Sequence, residues 1–231
     1  MDHQLTLDVQ LKDTCSFENY IAGPNREALL ALRQLTEGET PSHLLYLWGA
    51  DGAGKTHLLQ AACRAPQVSG KVSVYLPMGE LVRLSVSALE GLSDCAMVVL
   101  DDLDAIAGIA EWERAVLAMY EELKERVPMV VSARANSRNI GLTLPDLVTR
   151  LASGLVYHLQ ALDDDGKQAA IKQRAHNRGL DIPDDVIRYV LNRYPRDMHG
   201  LFDLLDRLDK ASLAEQRRLT IPFIQSQEAN G

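Results

Sequence analysis

Residues Gly49-Ala-Asp-Gly-Ala-Gly54-Lys55-Thr56 fit the spacing G-x-x-x-x-G-K-[ST] of a phosphate-binding loop. The chemistry accounts for the spacing. Glycines let successive backbone N–H groups close around phosphate oxygens with no Cβ in the way. A helix that starts where the loop ends aims its unpaired N–H groups at the same anion. In this scheme Gly49, Gly52, Ala53 and Gly54 form the cradle. Lys55 reaches the outer phosphates, and Thr56 holds Mg²⁺. A glycine turn beside a surface lysine would show the same letters, so the flanks decide. Leu44-Leu45-Tyr46-Leu47-Trp48 is an apolar run of strand length, and His57 to Cys63 reads as a buried helix. Asp51 adds negative charge to an anion site, and its side chain is expected to point outward.

A second chemical stretch is Met97-Val98-Val99-Leu100-Asp101-Asp102. A buried strand here would deliver Asp101 to the rim of a sheet, beside the phosphate loop. There it could hold the water shell of the Mg²⁺ that Thr56 also touches. Asp102 could orient an attacking water. A strand ending in a solvated acidic turn is the other reading, and the phosphate loop upstream tips the balance towards the metal. Arg150, in Leu147-Val148-Thr149-Arg150-Leu151, has apolar neighbours and belongs to no charge run. It is either a core-edge arginine in a salt bridge or an arginine finger for a nucleotide in a neighbouring subunit. The six histidines show no metal-ligand spacing, and His57 and His158 read as hydrogen-bonded structural residues. There is no G-x-S-x-G and no Cys–His pair in a nucleophilic arrangement. Nucleotide chemistry is what this sequence advertises.

The elements that must carry these residues alternate. Strands are expected at 44–48, 72–76, 96–101, 129–132 and 155–159. Helices are expected at 26–35, after the Pro24 start, and at 79–92, 111–126 and 145–153. Such alternation means a parallel sheet covered on both faces. The pattern changes near Leu162. Asp163-Asp164-Asp165 would cap a helix and favour its positive end. Helices follow at about 165–178, 183–193 and 197–215, with acidic and basic residues nearly balanced. The fold class is therefore α/β, a five-stranded parallel sheet followed by a small all-helical domain. The domains are a tail over 1–13, a core over 14–161 and a helical domain over 162–231.

At 231 residues the chain suits one large domain or two small ones. The formal net charge of −8 argues against a general electrostatic grip on nucleic acid, so strong direct DNA binding is not expected. Cys15, Cys63 and Cys95 are an odd count with no C-x-x-C, as in a reducing cytoplasmic setting. No apolar run approaches the ~18 residues that span a membrane. The acidic, broken N-terminus does not read as a signal peptide. In the tail, Leu5, Leu7, Val9 and Leu11 alternate with polar residues. That pattern fits an edge strand of the sheet, or an extended peptide placing its apolar side in another protein's groove.

The loop–helix GAGKTHLLQAAC, the acidic strand end VVLDDLDAIAG and the helix PDLVTRLASG resemble the AAA+ core of bacterial replication initiators of the DnaA type. The resemblance covers nearly the whole chain and is closer to the Hda type, regulatory inactivators of DnaA. The chain ends after a helical lid, with TIPFIQ near its terminus, so the DNA-binding domain of an initiator is expected to be absent. The tail Gln4-Leu5-Thr6-Leu7-Asp8-Val9 looks like the motif with which such proteins dock on the replicative sliding clamp (beta of DNA polymerase III). The resemblance implies that the segment Phe17 to Gly23, with Tyr20 and Ile21, wraps the base and ribose. Gly52 to Thr56, continuing into His57, would hold phosphates. Arg150 would be the finger, near the surface and without a strong internal carboxylate partner. Ser132 matches the polar end of the fourth strand. Two positions depart from the pattern: Arg134 stands where the family usually has Asp, and His199 where the lid usually offers a sensing arginine, with Arg196 nearby. The implied ligand is an adenine nucleotide, with ADP favoured, together with Mg²⁺, serving to fix the angle between core and lid. The implied partners are DnaA and the clamp, with a homo-oligomer left open. The implied activity is stimulation of hydrolysis in DnaA, with weak or no ATPase of its own. The alternative is an independent AAA+ ATPase that loads a helicase or remodels DNA complexes.

The tail gives the first expected outcome. Each buried apolar anchor contributes roughly 1.5–3 kcal/mol before ordering costs. Replacing Gln4 and Leu7 with alanine should weaken clamp binding at least tenfold in a surface-binding assay and leave the melting temperature unchanged. Equal affinity for both proteins would remove the clamp from the account.

Overall fold

The inner strands of the central sheet carry apolar residues on both faces, because helices cover it from both sides. The computed structural model describes residues 15–65, 72–195, 197–215 and 217–229, without the side chains of 199, 228 and 229. It contains β1 (Leu44–Trp48), β2 (Ser73–Pro77), β3 (Met97–Asp101), β4 (Met129–Ala133) and β5 (Leu155–His158). All neighbours run parallel, in the order β2-β3-β4-β1-β5. Odd and even positions of β1 go to opposite faces. Leu44 and Tyr46 join one core with Val98, Leu100 and Val131, packed under helices α4 (Ala110–Leu123) and α5 (Pro145–Ala152). Leu45 and Leu47 join the other with Val99 and Val130, under α1 (Arg26–Glu37) and α2 (Lys55–Arg64).

One expectation changes here. Residues 79–92 do not make one helix. A single turn, α3 (Met78–Leu81), is followed by a separate 3-10 turn at Val86–Leu89. Ser85 is extended and its side chain accepts from the Ser87 N–H, so the serine offers the backbone a competing local bond. The helical periodicity around Leu81 and Leu89 was real, but those side chains reach the core from two short pieces. In addition, β3 is not next to β1; β4 lies between them. Asp101 therefore reaches the loop region across an intervening strand.

Residues 162–229 form a second compact unit. It holds α6 (Asp164–His176), α7 (Asp184–Arg193), α8 (Met198–Glu215) and α9 (Ile221–Ala229), the last not expected from the sequence. Asp163 caps α6 by accepting from the Gly166 N–H at 2.8 Å. Gly179, at φ +73°, takes the left-handed turn that ends it. Ile171, Ile187, Leu201, Leu205, Phe223 and Ile224 are buried in this unit. Arg174 and Arg178 both bind Asp206, at 3.1 and 2.6 Å, tying α6 to α8. Among the described residues no helix is long and apolar enough to cross a membrane.

One buried charge in the first unit escaped the sequence. Glu113 on α4 is fully buried. Its carboxylate accepts from the backbone N–H groups of Gly108 (2.8 Å), Thr143 (2.9 Å) and Leu144 (2.7 Å), and from the Thr143 hydroxyl (3.0 Å). Burial pushes this carboxyl up, but the donors outweigh it and leave the group below the ordinary glutamate range. A carboxylate whose folded value is lowered stabilises the fold fully above its unfolded value of about 4.3, and less as pH falls through the folded value. Glu113→Ala strands several buried donors and should cost about 3 kcal/mol or more at pH 7. The gap between wild type and variant in urea unfolding should shrink below about pH 4. A gap that stays constant down to acid pH would mean that the charge contributes nothing.

Candidate nucleotide site

The loop Gly49–Thr56 leaves the C-terminal end of β1 and turns straight into α2. Its glycines are sterically required at two points. A Cβ on Gly49 would lie 2.4 Å from the carbonyl oxygen of Leu159, just beyond β5. Gly54, at φ +90°, caps α2, and a Cβ there would meet the Tyr20 ring at 2.8 Å. Gly52 also takes a positive φ, of +78°. Lys55 is 6% exposed, and its ammonium donates to the loop carbonyls of Gly49 at 2.8 Å and Ala50 at 3.1 Å. Ala53 is buried and Thr56 exposed at the first turn of α2. A cradle that a Cβ would fill, a lysine anchored inside it and a free-standing hydroxyl at the helix start suit a phosphate chain. These residues fit a phosphate chain, and Thr56 and Asp101 are the groups that could hold a Mg²⁺ ion.

Asp101 ends β3 and is 3% exposed. Its carboxylate accepts from the Ser132 hydroxyl on β4 and from the Tyr75 phenol on β2. Burial is the main reason the Tyr75 hydroxyl is pushed far up, followed by the Asp101 charge; it stays a donor. Ser132 also accepts from the Asp102 N–H at 3.0 Å. That bond helps hold Asp102 at φ +55°, the one non-glycine residue with positive φ among those described. The turn leaves Asp102 at the rim of the sheet, exposed as a residue but with its carboxyl partly shielded. Its carboxyl lies above the usual aspartate range. Desolvation is the main cause, then the charges of Asp101 and Asp104, against the pull of Lys55 and Arg134. Arg134, just past β4, lies 3.4 Å from Asp51 of the loop and 3.5 Å from Asp104. Asp51 is thus exposed and faces a cation rather than the cradle.

The segment that leads into α1 lies against the same loop. Tyr20 packs on Gly54, and its ring centroid stands 5.4 Å from that of His57. A ring nitrogen of His57 is 2.8 Å from the Ser16 carbonyl, which fastens the segment to α2. Buried Asn25 exchanges two 2.8 Å hydrogen bonds with the backbone of Gln160. Burial pushes the Tyr20 phenol up to about 12, against a lowering contact from Asn25, so it is neutral at pH 7. Phe17 and Ile21 are half-buried beside this strap, and Gly23 turns the chain at φ +48°. Asn25, Tyr75 and Gln160 carry no motif; only the tertiary contacts make them part of the site.

Arg150 lies in the last turn of α5, half exposed. It has a carboxylate partner. Its Nε is 2.8 Å from Glu121 Oε1 on α4. The partner is itself at the surface, so this is no internal bridge. Gln4, Leu5, Leu7, Val9 and Arg196 lie outside the described residues, as does the side chain of His199.

Residues 11–158 match the family model of the bacterial DnaA ATPase domain, and residues 164–227 match that of the Hda lid domain. Among solved structures the chain is similar to domain III of the Thermotoga maritima replication initiation protein DnaA. The TM-score is 0.81 at 19% identity, over 93% of this chain and 95% of that one. It is also similar to AMPPCP-bound DnaA from Aquifex aeolicus, with TM-score 0.72 at 21% identity, over 86% of this chain and 66% of that one. A third is the Thermotoga maritima RuvB branch-migration motor, with TM-score 0.63 at 18% identity, over 94% of this chain and 72% of that one.

Gly54→Ala should reduce adenine-nucleotide affinity at least tenfold by titration calorimetry, because the new methyl group displaces Tyr20 and strains the helix start. Gly79→Ala meets open space and should bind as wild type does. Equal binding by both variants would mean that the loop does not carry the phosphates.

Proposed function

The chain belongs to the family of bacterial DnaA ATPase domains, and from that premise we propose that it is a nucleotide-bound regulator that inactivates the initiator DnaA. In this reading it docks on the DNA-loaded sliding clamp through Gln4, Leu5, Leu7 and Val9. It then presents Arg150 to ATP held by DnaA. The guanidinium neutralises charge that spreads over the γ-phosphoryl oxygens as the bond to the leaving phosphate breaks. An arginine supplied across a subunit boundary accelerates such reactions by roughly 10³–10⁵. The initiator is left with ADP, and re-initiation is prevented.

The observation that carries the reading is the placement of Arg150. It sits on a short helix that the buried Glu113 carboxylate anchors, with its guanidinium at the surface. The match to an Hda lid over residues 164–227 supports the regulatory branch. The chain's own phosphates, with ADP preferred, lie along Gly49–Thr56. Thr56 and Asp101 would hold a Mg²⁺ ion there, which would supply charge neutralisation when bound. Arg134 and His199 replace groups the family usually offers a triphosphate, which favours a bound diphosphate and slow turnover.

Hydrolysis by DnaA should be measured with this protein and DNA-loaded clamp, beside turnover by this protein alone. Arg150→Ala should keep its melting temperature and nucleotide affinity and lose most of the stimulation. Arg150→Lys should fail too, since a point charge cannot reproduce the planar fork. Calorimetry on the wild type should find ADP bound at least as tightly as ATP. Full stimulation by folded Arg150→Ala would leave the protein a tether. Fast turnover alone would favour the independent ATPase.

A further inference from the structure

Helix α5 is held by α4 at both ends. At its start, Leu144 is the N-cap, and its N–H donates to Glu113 at 2.7 Å. In its last turn, the Arg150 Nε lies 2.8 Å from Glu121 Oε1 in an ion pair. Eight residues separate the two glutamates on α4, a rise of about 12 Å. Six residues separate Leu144 from Arg150, a rise of about 9 Å. The two holds come in the same order along both helices, which therefore run in the same general direction.

The two glutamates differ in kind. Glu113 is buried and serves the backbone. Glu121 is at the surface, and its two oxygens are divided between two cations: Oε1 takes Arg150 and Oε2 takes Lys124 at 2.5 Å. Lys124, then Arg150, keeps this carboxyl below the ordinary glutamate range, so it is charged at neutral pH. The nearest approach of Arg150 to Glu121 is made by Nε. Among the described residues, Arg150 forms an ion pair with no carboxylate other than Glu121. A guanidinium fixed through Nε has its plane and direction set while its two terminal nitrogens remain available to a phosphate. Bidentate pairing through the terminal nitrogens would have blocked them.

We propose that Glu121 is a positioning residue for Arg150: it pins Nε so that the terminal nitrogens face outward, ready for the γ-phosphate of a partner's nucleotide. Lys124 in turn steadies Glu121. This rests on the finger role given to Arg150 above. Surface ion pairs stabilise little, so the contribution of the pair lies in geometry rather than in the fold.

The test uses Glu121→Ala and Glu121→Gln in the full chain, with Arg150→Ala and the Arg150→Ala/Glu121→Ala double variant. Hydrolysis by ATP-loaded DnaA on DNA-loaded clamp is followed across a range of this protein's concentration. Misplacing a catalytic group by about 1 Å can cost on the order of 10²-fold. Glu121→Ala should lower the maximal stimulated rate by about ten- to a hundredfold. The half-saturating concentration and the melting temperature should not move. Glu121→Gln should retain part of the rate, because its amide oxygen can still lie against Nε. In the Arg150→Ala background the second substitution should do nothing. Unchanged or raised rates in Glu121→Ala, with Arg150→Ala inactive, would overturn the positioning role and leave the finger role standing. An equal loss on removing Glu121 from Arg150→Ala would also overturn it. Full activity of Arg150→Ala alone would remove the finger role itself.

Discussion

A buried carboxylate at the end of β3 sets the terms for the rim of the sheet. Asp101 is 3% exposed, so its carboxyl oxygens need hydrogen-bond partners, and three strands supply its surroundings. Ser132 comes from β4 and Tyr75 from β2, so the acid fixes the relative ends of β2, β3 and β4. The same Ser132 accepts the Asp102 N–H and helps hold the left-handed turn that separates the two aspartates. One acid is thereby kept inside and the other left at the rim of the sheet. Two adjacent residues of one type acquire different environments and different chemistry.

The phosphate loop meets a complementary constraint of space. Gly49 is closed in by the backbone after β5, and Gly54 by the Tyr20 ring. The strap around Phe17–Asn25 is fastened by His57 to α2 and by Asn25 to Gln160 beyond β5. Loop and strap therefore belong to one packed arrangement at the ends of β1 and β5. The departure at Arg134 fits into it electrostatically. That cation sits between Asp51 and Asp104 and offsets the acid that the loop itself introduces. Away from the loop, Glu113 performs for α5 what Asp101 performs for the strands. A buried charge gathers otherwise unpaired N–H groups from two connecting segments, and a short helix acquires a fixed start.

The sequence by itself determined the alternation of strands and helices, the loop, the acidic strand end and the change to all-helical structure near Leu162. Each depends on local periodicity or on a fixed spacing along the chain. Residues 79–92 mark the limit of that kind of inference. Apolar spacing suggested one helix, but the Ser85 side chain competed for the backbone and split it. Residues 221–229 folded as an additional helix because Phe223 and Ile224 find a core in the second unit, which spacing alone did not reveal. Only the tertiary structure decided that β4 separates β1 from β3, that Tyr75 and Asn25 join the site, and that Glu113 is buried while Glu121 stays outside. Strand order and hydrogen-bond satisfaction are relations between residues far apart in the chain. Glu113 and Glu121 are alike as letters on one helix, and what distinguishes them is which neighbouring segment brings donors to meet them.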